Sequence, residues 1–112
     1  MKIATDRQGD VLQIEVTGRL DPNDAVGFVE TLQATFGVDD RAVLIDFEKL
    51  DYISSAGVRS IMMTAKNLKK QEKEFALCAL PGTIYRVFIL SGMDKIIAIY
   101  PSKAEALASL EA

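Results

Sequence analysis

Ala42-Val43-Leu44-Ile45-Asp46-Phe47-Glu48-Lys49-Leu50-Asp51-Tyr52-Ile53-Ser54-Ser55-Ala56-Gly57-Val58 carries the architecture of this chain. Ala42 to Ile45 is apolar at every position, the pattern of a central strand buried on both faces. It ends on Asp46 and runs through a short acidic loop to two serines. From there Val58, Ile61, Met62, Ala65 and Leu68 recur at helical spacing, which predicts a helix over about 55–70. Serine at a helix start has a specific chemistry, because its hydroxyl accepts a bond from a free backbone N–H. Either Ser54 or Ser55 can serve as that cap.

The flanking segments alternate in the same way. Leu12, Ile14 and Val16 oppose Gln13, Glu15 and Thr17, a half-buried strand. Asp21-Pro22-Asn23-Asp24 opens a helix with Ala25, Phe28, Val29, Leu32 and Phe36 on one stripe, stopped at Gly37. Phe75 to Leu80 reads as a buried strand and Ile84, Val87 and Phe88 as a short helix ending near Ser91-Gly92. Ile96 to Ile99 reads as the last strand, and Ser102 opens a final helix. Strands that alternate with helices are parallel and joined by right-handed crossovers. Lys2 to Thr5 pairs antiparallel with the following strand through the turn at Arg7-Gln8-Gly9-Asp10. The expectation is one α/β domain over residues 1–112, with about five mostly parallel strands and about four helices. Strand order following sequence order places the helices on one face.

Composition narrows the function. The chain has 112 residues, 49% hydrophobic and 26% charged, with a net charge of −3, values of a soluble globular domain. No apolar run reaches the roughly 18 residues of a membrane span, and no signal pattern opens the chain, so a cytoplasmic location is expected. Lys66, Lys69, Lys70 and Lys73 form the solvated end of a helix, which argues against nucleic acid. Histidine is absent, and Cys78 is the single cysteine, set in an apolar strand as an inert buried thiol. A Ser-His-Asp relay, a histidine or cysteine-rich metal site and a glycine-rich phosphate loop are all missing, which argues against an enzyme and against a bound cofactor.

Ile53-Ser54-Ser55-Ala56-Gly57 in this setting resembles the STAS domains of bacterial anti-sigma factor antagonists. Gly18-Arg19-Leu20-Asp21 resembles the family's Gly-x-Leu-Asp turn, and Phe75 to Leu80 with Ile84 to Phe88 resembles its fourth strand and third helix. Ser91-Gly92-Met93-Asp94 resembles its turn before the last strand. The resemblance implies a βα superhelix and a switch in which the unphosphorylated domain binds an anti-sigma factor that is also a serine kinase. Phosphorylation would release it, and a metal-dependent serine/threonine phosphatase would reset it. In the family's register the phosphate acceptor falls on Ser55, and Ser54 stands where many members carry aspartate. A weak homodimer is compatible with it. A second reading, kept open by Ser54, is a non-switching scaffold subunit of a signalling assembly or a lipid-transport complex.

Strand ends of a parallel sheet share one edge, where loops make the binding surface. Asp21, Asp46 and the Ser54-Ser55 turn are therefore expected together, rimmed by Asp24, Glu48 and Asp51. The partner surface is expected to comprise Asp21, Asp46, Ser54, Ser55, Ala56, Gly57 and Arg59. Local readings accompany these. Asp21 can simply start a helix, Asp46 can hold its loop, and Gly57 allows a close approach. One of Met62 and Met63, and at least one of Phe88, Ile89 and Leu90, should lie on the surface.

Overall fold

A computed structural model describes residues 1–111. Strands β1 (Lys2–Gln8) and β2 (Val11–Leu20) form a hairpin, followed by α1 (Pro22–Thr35), β3 (Ala42–Asp46) and β4 (Leu50–Ile53). Then come α2 (Ser55–Lys70), β5 (Glu74–Cys78) and α3 (Gly82–Leu90). A 3-10 turn at Met93–Lys95 leads to β6 (Ala98–Tyr100) and α4 (Lys103–Glu111). The sheet runs β1-β2-β3-β5-β6 with only β1 antiparallel, as the alternating pattern requires.

Side-chain alternation along each strand divides the core in two. Leu12, Ile14, Val16, Val43, Ile45 and Leu77 face Phe28, Leu32, Ile61, Leu68, Ile84 and Phe88 from α1, α2 and α3. Ala42, Leu44, Ala76 and Cys78 point the other way and pack on Ala106 and Leu110 of α4. The expectation that all helices share one face is therefore corrected. β3 is buried at every position, and a strand apolar on both sides needs cover on both. The polar side of β2, with Glu15 and Thr17, lies toward the half of that face beyond α4.

The sheet also has a sixth strand, β4, where the sequence suggests a loop. Leu50 and Ile53 are buried while Asp51 and Tyr52 are exposed. That spacing is not the alternation that marks a strand, which is why it reads as loop. Its pairing is tertiary: β2 is long, and its second half takes β4 as a parallel neighbour after its first half has taken β3. The ladder shifts register between Gly18 and Arg19, and Gly18 adopts φ +100°, a left-handed conformation suited to glycine. The last strand starts at Ala98, later than the sequence suggests, because the 3-10 turn carries the chain to Ile97.

One polar cluster locks α1 to the sheet. Asp40, with its side chain 3% exposed, accepts from Arg7 Nε at 2.9 Å and from the Gly37 N–H at 2.8 Å, while Lys73 holds its carbonyl. The Arg7 hydrogen bond holds the Asp40 carboxyl below the usual carboxylate range, against the opposing effect of burial. A depressed folded value contributes stability above the unfolded pKa of about 4, and that contribution disappears as pH falls through the folded value. Urea unfolding of wild type and Asp40→Asn at pH 7 and pH 3 should show a smaller pH effect in the variant. Equal acid sensitivity of the two would refute this role for Asp40.

Candidate functional site

The serine turn is built by the end of β2 and the end of β4. Leu20 and Ile53 are register partners, and the Ser54 N–H donates to the Leu20 carbonyl at 2.9 Å. The residues that follow, Asp21 and Ser54, therefore cap two neighbouring helices. Asp21 Oδ1 accepts from the N–H groups of Asn23 at 3.0 Å and Asp24 at 3.2 Å, with Pro22 in the first turn of α1. Ser54 Oγ accepts from the Gly57 N–H at 3.0 Å, and Val58 N–H donates to the Ser54 carbonyl. This divides the labour between the serines. Ser54 is 6% exposed and is the cap; Ser55, the first helical residue, is exposed.

Gly57 is required by the packing beneath this turn. A Cβ there would lie 2.8 Å from Ile53 Cγ1 and 3.0 Å from both Leu20 Cγ and the Leu20 carbonyl oxygen. The close approach anticipated for this glycine is thus real. It seats the start of α2 directly on the β2 and β4 ends. Ala56 is half-buried beside it, and Arg59 is exposed one turn further along the helix.

Asp46 is not part of this cluster. It pairs with Glu15 on β2, six positions before Asp21, on the order of 15–20 Å of extended strand away. Its side chain accepts from the Glu48 N–H at 2.9 Å and is 6% exposed, so it holds its own loop. β4 causes the separation, because it extends the edge of β2 well beyond the end of β3. The expectation that Asp46 joins Asp21 and the serines is corrected accordingly. Asp21 at the cap of α1, Asp24 on α1 and Asp51 on β4 remain on the segments that meet at the turn.

Two neighbouring features are absent from the sequence reading. Arg19 at the end of β2 lies over the Tyr52 ring at 4.3 Å, a cation–π contact formed only because β4 pairs with β2. A groove between α1 and α2 begins at Pro22 and Ala56 and is lined by Val26, Met63, Arg59 and Lys66. Val26 and Met63 are 68% and 58% exposed, so Met63 is the surface member of the methionine pair. On α3, Ile89 and Leu90 are exposed and Phe88 is buried.

Cys78 takes no part in this site. It is fully buried on the opposite face, and burial, with a lesser push from the Asp46 charge, raises its thiol to about 12. The native thiol should resist aromatic disulfide reagents at pH 8 and react only on unfolding, with a native labelling rate below the unfolded rate by about a hundredfold or more. Labelling of the native protein at the unfolded rate would contradict its burial. Among the described residues no group of acidic or cysteine side chains is placed to hold a metal ion, and no helix is long and apolar enough to cross a membrane.

A family model described as "Mlab, STAS domain" matches residues 3–99. The chain belongs to the STAS domain family. Its relatives carry a regulatory description. BtrV of Bordetella bronchiseptica, described as an anti-sigma factor antagonist, is 32% identical over 111 residues, covering 99% of this chain and 96% of the relative. The anti-sigma-B factor antagonist of Listeria monocytogenes is 30% identical over 95 residues, 84% of this chain and 82% of its own. Among solved structures, a Thermotoga maritima protein described as an anti-sigma factor antagonist superimposes with a TM-score of 0.91. It shares 20% identity, and the match covers 98% of this chain and 95% of that one. The STAS fold and membership of the anti-sigma factor antagonist family are thereby established for this chain. Both of these relatives are regulatory proteins rather than enzymes by name.

Proposed function

We propose that this STAS domain works as an anti-sigma factor antagonist in the bacterial cytoplasm, binding an anti-sigma factor that is also a serine kinase and leaving it when Ser55 is phosphorylated. The single observation that supports this reading most is the division of the serine pair. Ser54 Oγ is engaged at Gly57 N–H, while Ser55 stands exposed at the start of α2. Replacement of the family's aspartate by Ser54 does not weaken the reading, since serine and aspartate cap helices about equally well.

In the kinase step, Ser55 Oγ attacks the γ-phosphorus of ATP held by the partner. An Oγ–P bond forms, the bond to ADP breaks, and the serine proton passes to a base of the kinase. Hydrolysis by a metal-dependent phosphatase returns the hydroxyl and inorganic phosphate. ATP and metal belong to those partners. The added charge of about −1.5 to −2 arrives at a turn already flanked by Asp21, Asp24 and Asp51, so it adds like-charge crowding to the surface a partner must cover, without a need to refold the domain.

Co-expression with the cognate kinase followed by intact-mass measurement tests the assignment. Wild type should gain one phosphate and Ser55→Ala none; equal phosphorylation of Ser55→Ala would overturn it. A scaffold role would show instead as stable co-purification with a transporter or large assembly, indifferent to Ser55→Asp.

A further inference from the structure

We infer that Arg59 is the intrachain receptor of the Ser55 phosphate, and that phosphorylation thereby withdraws Arg59 from the partner surface as well as adding charge to it. This rests on the reading of Ser55 as the acceptor. Ser55 and Arg59 are four positions apart on α2, both exposed, so they lie one above the other on the same helical face. The guanidinium is uncommitted: among the described residues no carboxylate oxygen lies within the 4.0 Å of an ion pair, and it makes no hydrogen bond. The other cation near the turn, Arg19, is held over Tyr52.

The first turn of the helix adds to the receptor. Gly57 N–H is taken by Ser54 Oγ and Val58 N–H by the Ser54 carbonyl, which leaves the amides of Ser55 and Ala56 at the helix mouth. A phosphate on Ser55 meets those dipoles on one side and the planar fork of Arg59 on the other, a geometry that favours the dianion. The acidic groups on the elements packed around it are Asp21 at the cap of α1, Asp24 and Glu30 of α1 and Asp51 of β4. They act in the opposite direction, and Lys66 is the next cation along the groove. The bare protein thus offers Arg59, beside Ala56 and Met63, to a carboxylate of the partner. The phosphorylated protein offers an arginine already occupied.

The test installs phosphoserine at position 55 during translation, so no kinase is involved, and failure here is separate from failure of the kinase assignment. Phosphorus-31 titration should show a second phosphate pKa lower in the Arg59 protein than in Arg59→Gln by about 0.5. Arg59→Lys should fall between them, since lysine keeps the charge but not the fork. Lys66→Gln serves as the control and should leave the value where the Arg59 protein has it. Identical titration of the Arg59 and Arg59→Gln proteins overturns the inference. So does a shift in Lys66→Gln as large as that in Arg59→Gln, which would mean diffuse surface charge rather than a specific receptor.

Discussion

Ser55→Asp is expected to weaken binding to the anti-sigma partner by about a hundredfold, while Ser54→Asp changes it less than about threefold. The asymmetry follows from what each side chain does. Ser55 is exposed at the first position of α2, so a carboxylate there projects into any interface built on the turn. Like charge set against like charge in an interface costs on the order of several kcal/mol, and each 1.4 kcal/mol or so is tenfold in affinity. The helix dipole returns only about 0.3–1 kcal/mol of that at an exposed terminus. At position 54 the side chain turns inward to the Gly57 N–H, and an aspartate can make the same capping bond. Calorimetric titration of both variants against the partner measures the difference. Loss of binding in Ser54→Asp with retention in Ser55→Asp would move the switch to Ser54.

Gly57→Ala is expected to destabilise the fold by about 2 kcal/mol, lowering the thermal midpoint by roughly 10 °C. In an exposed helix the same change would stabilise by about 1 kcal/mol through propensity. Here the new methyl meets Ile53 Cγ1 at 2.8 Å and the Leu20 carbonyl oxygen at 3.0 Å. Ile53 can rotate, but the carbonyl cannot withdraw without losing the 2.9 Å bond it accepts from Ser54 N–H. The helix start must lift instead, and with it the serine turn. Partner affinity should therefore fall together with stability in this one variant. A calorimetric scan with an unchanged or raised midpoint would show that the packing under the turn is looser than these distances imply.

The features of this protein whose signal is local can be read from the residues alone. The apolar run Ala42 to Ile45 marks a strand, the stripe from Val58 to Leu68 marks a helix, and the capping chemistry at Asp21 and the serines marks where helices begin. Propensity, periodicity and caps all act within a few residues, so they can be read without knowing what lies across the sheet. The ordered motifs that resemble the STAS family rest on the same local features.

Features that depend on pairing come from contacts distant in sequence. Whether Leu50 to Ile53 is loop or strand is settled by the free second half of β2, which accepts it as a parallel neighbour. That choice joins Asp21 to Ser54 through the Leu20–Ile53 register and leaves Asp46 beside Glu15, although all three stand at strand ends. The placement of α4 is likewise settled by the apolar second side of β3 and β5, which its Ala106 and Leu110 bury. The roles of the two serines were open for the same reason. Which hydroxyl turns in and which turns out depends on where the Leu20 carbonyl anchors the chain, and that anchor lies more than thirty residues away along the sequence.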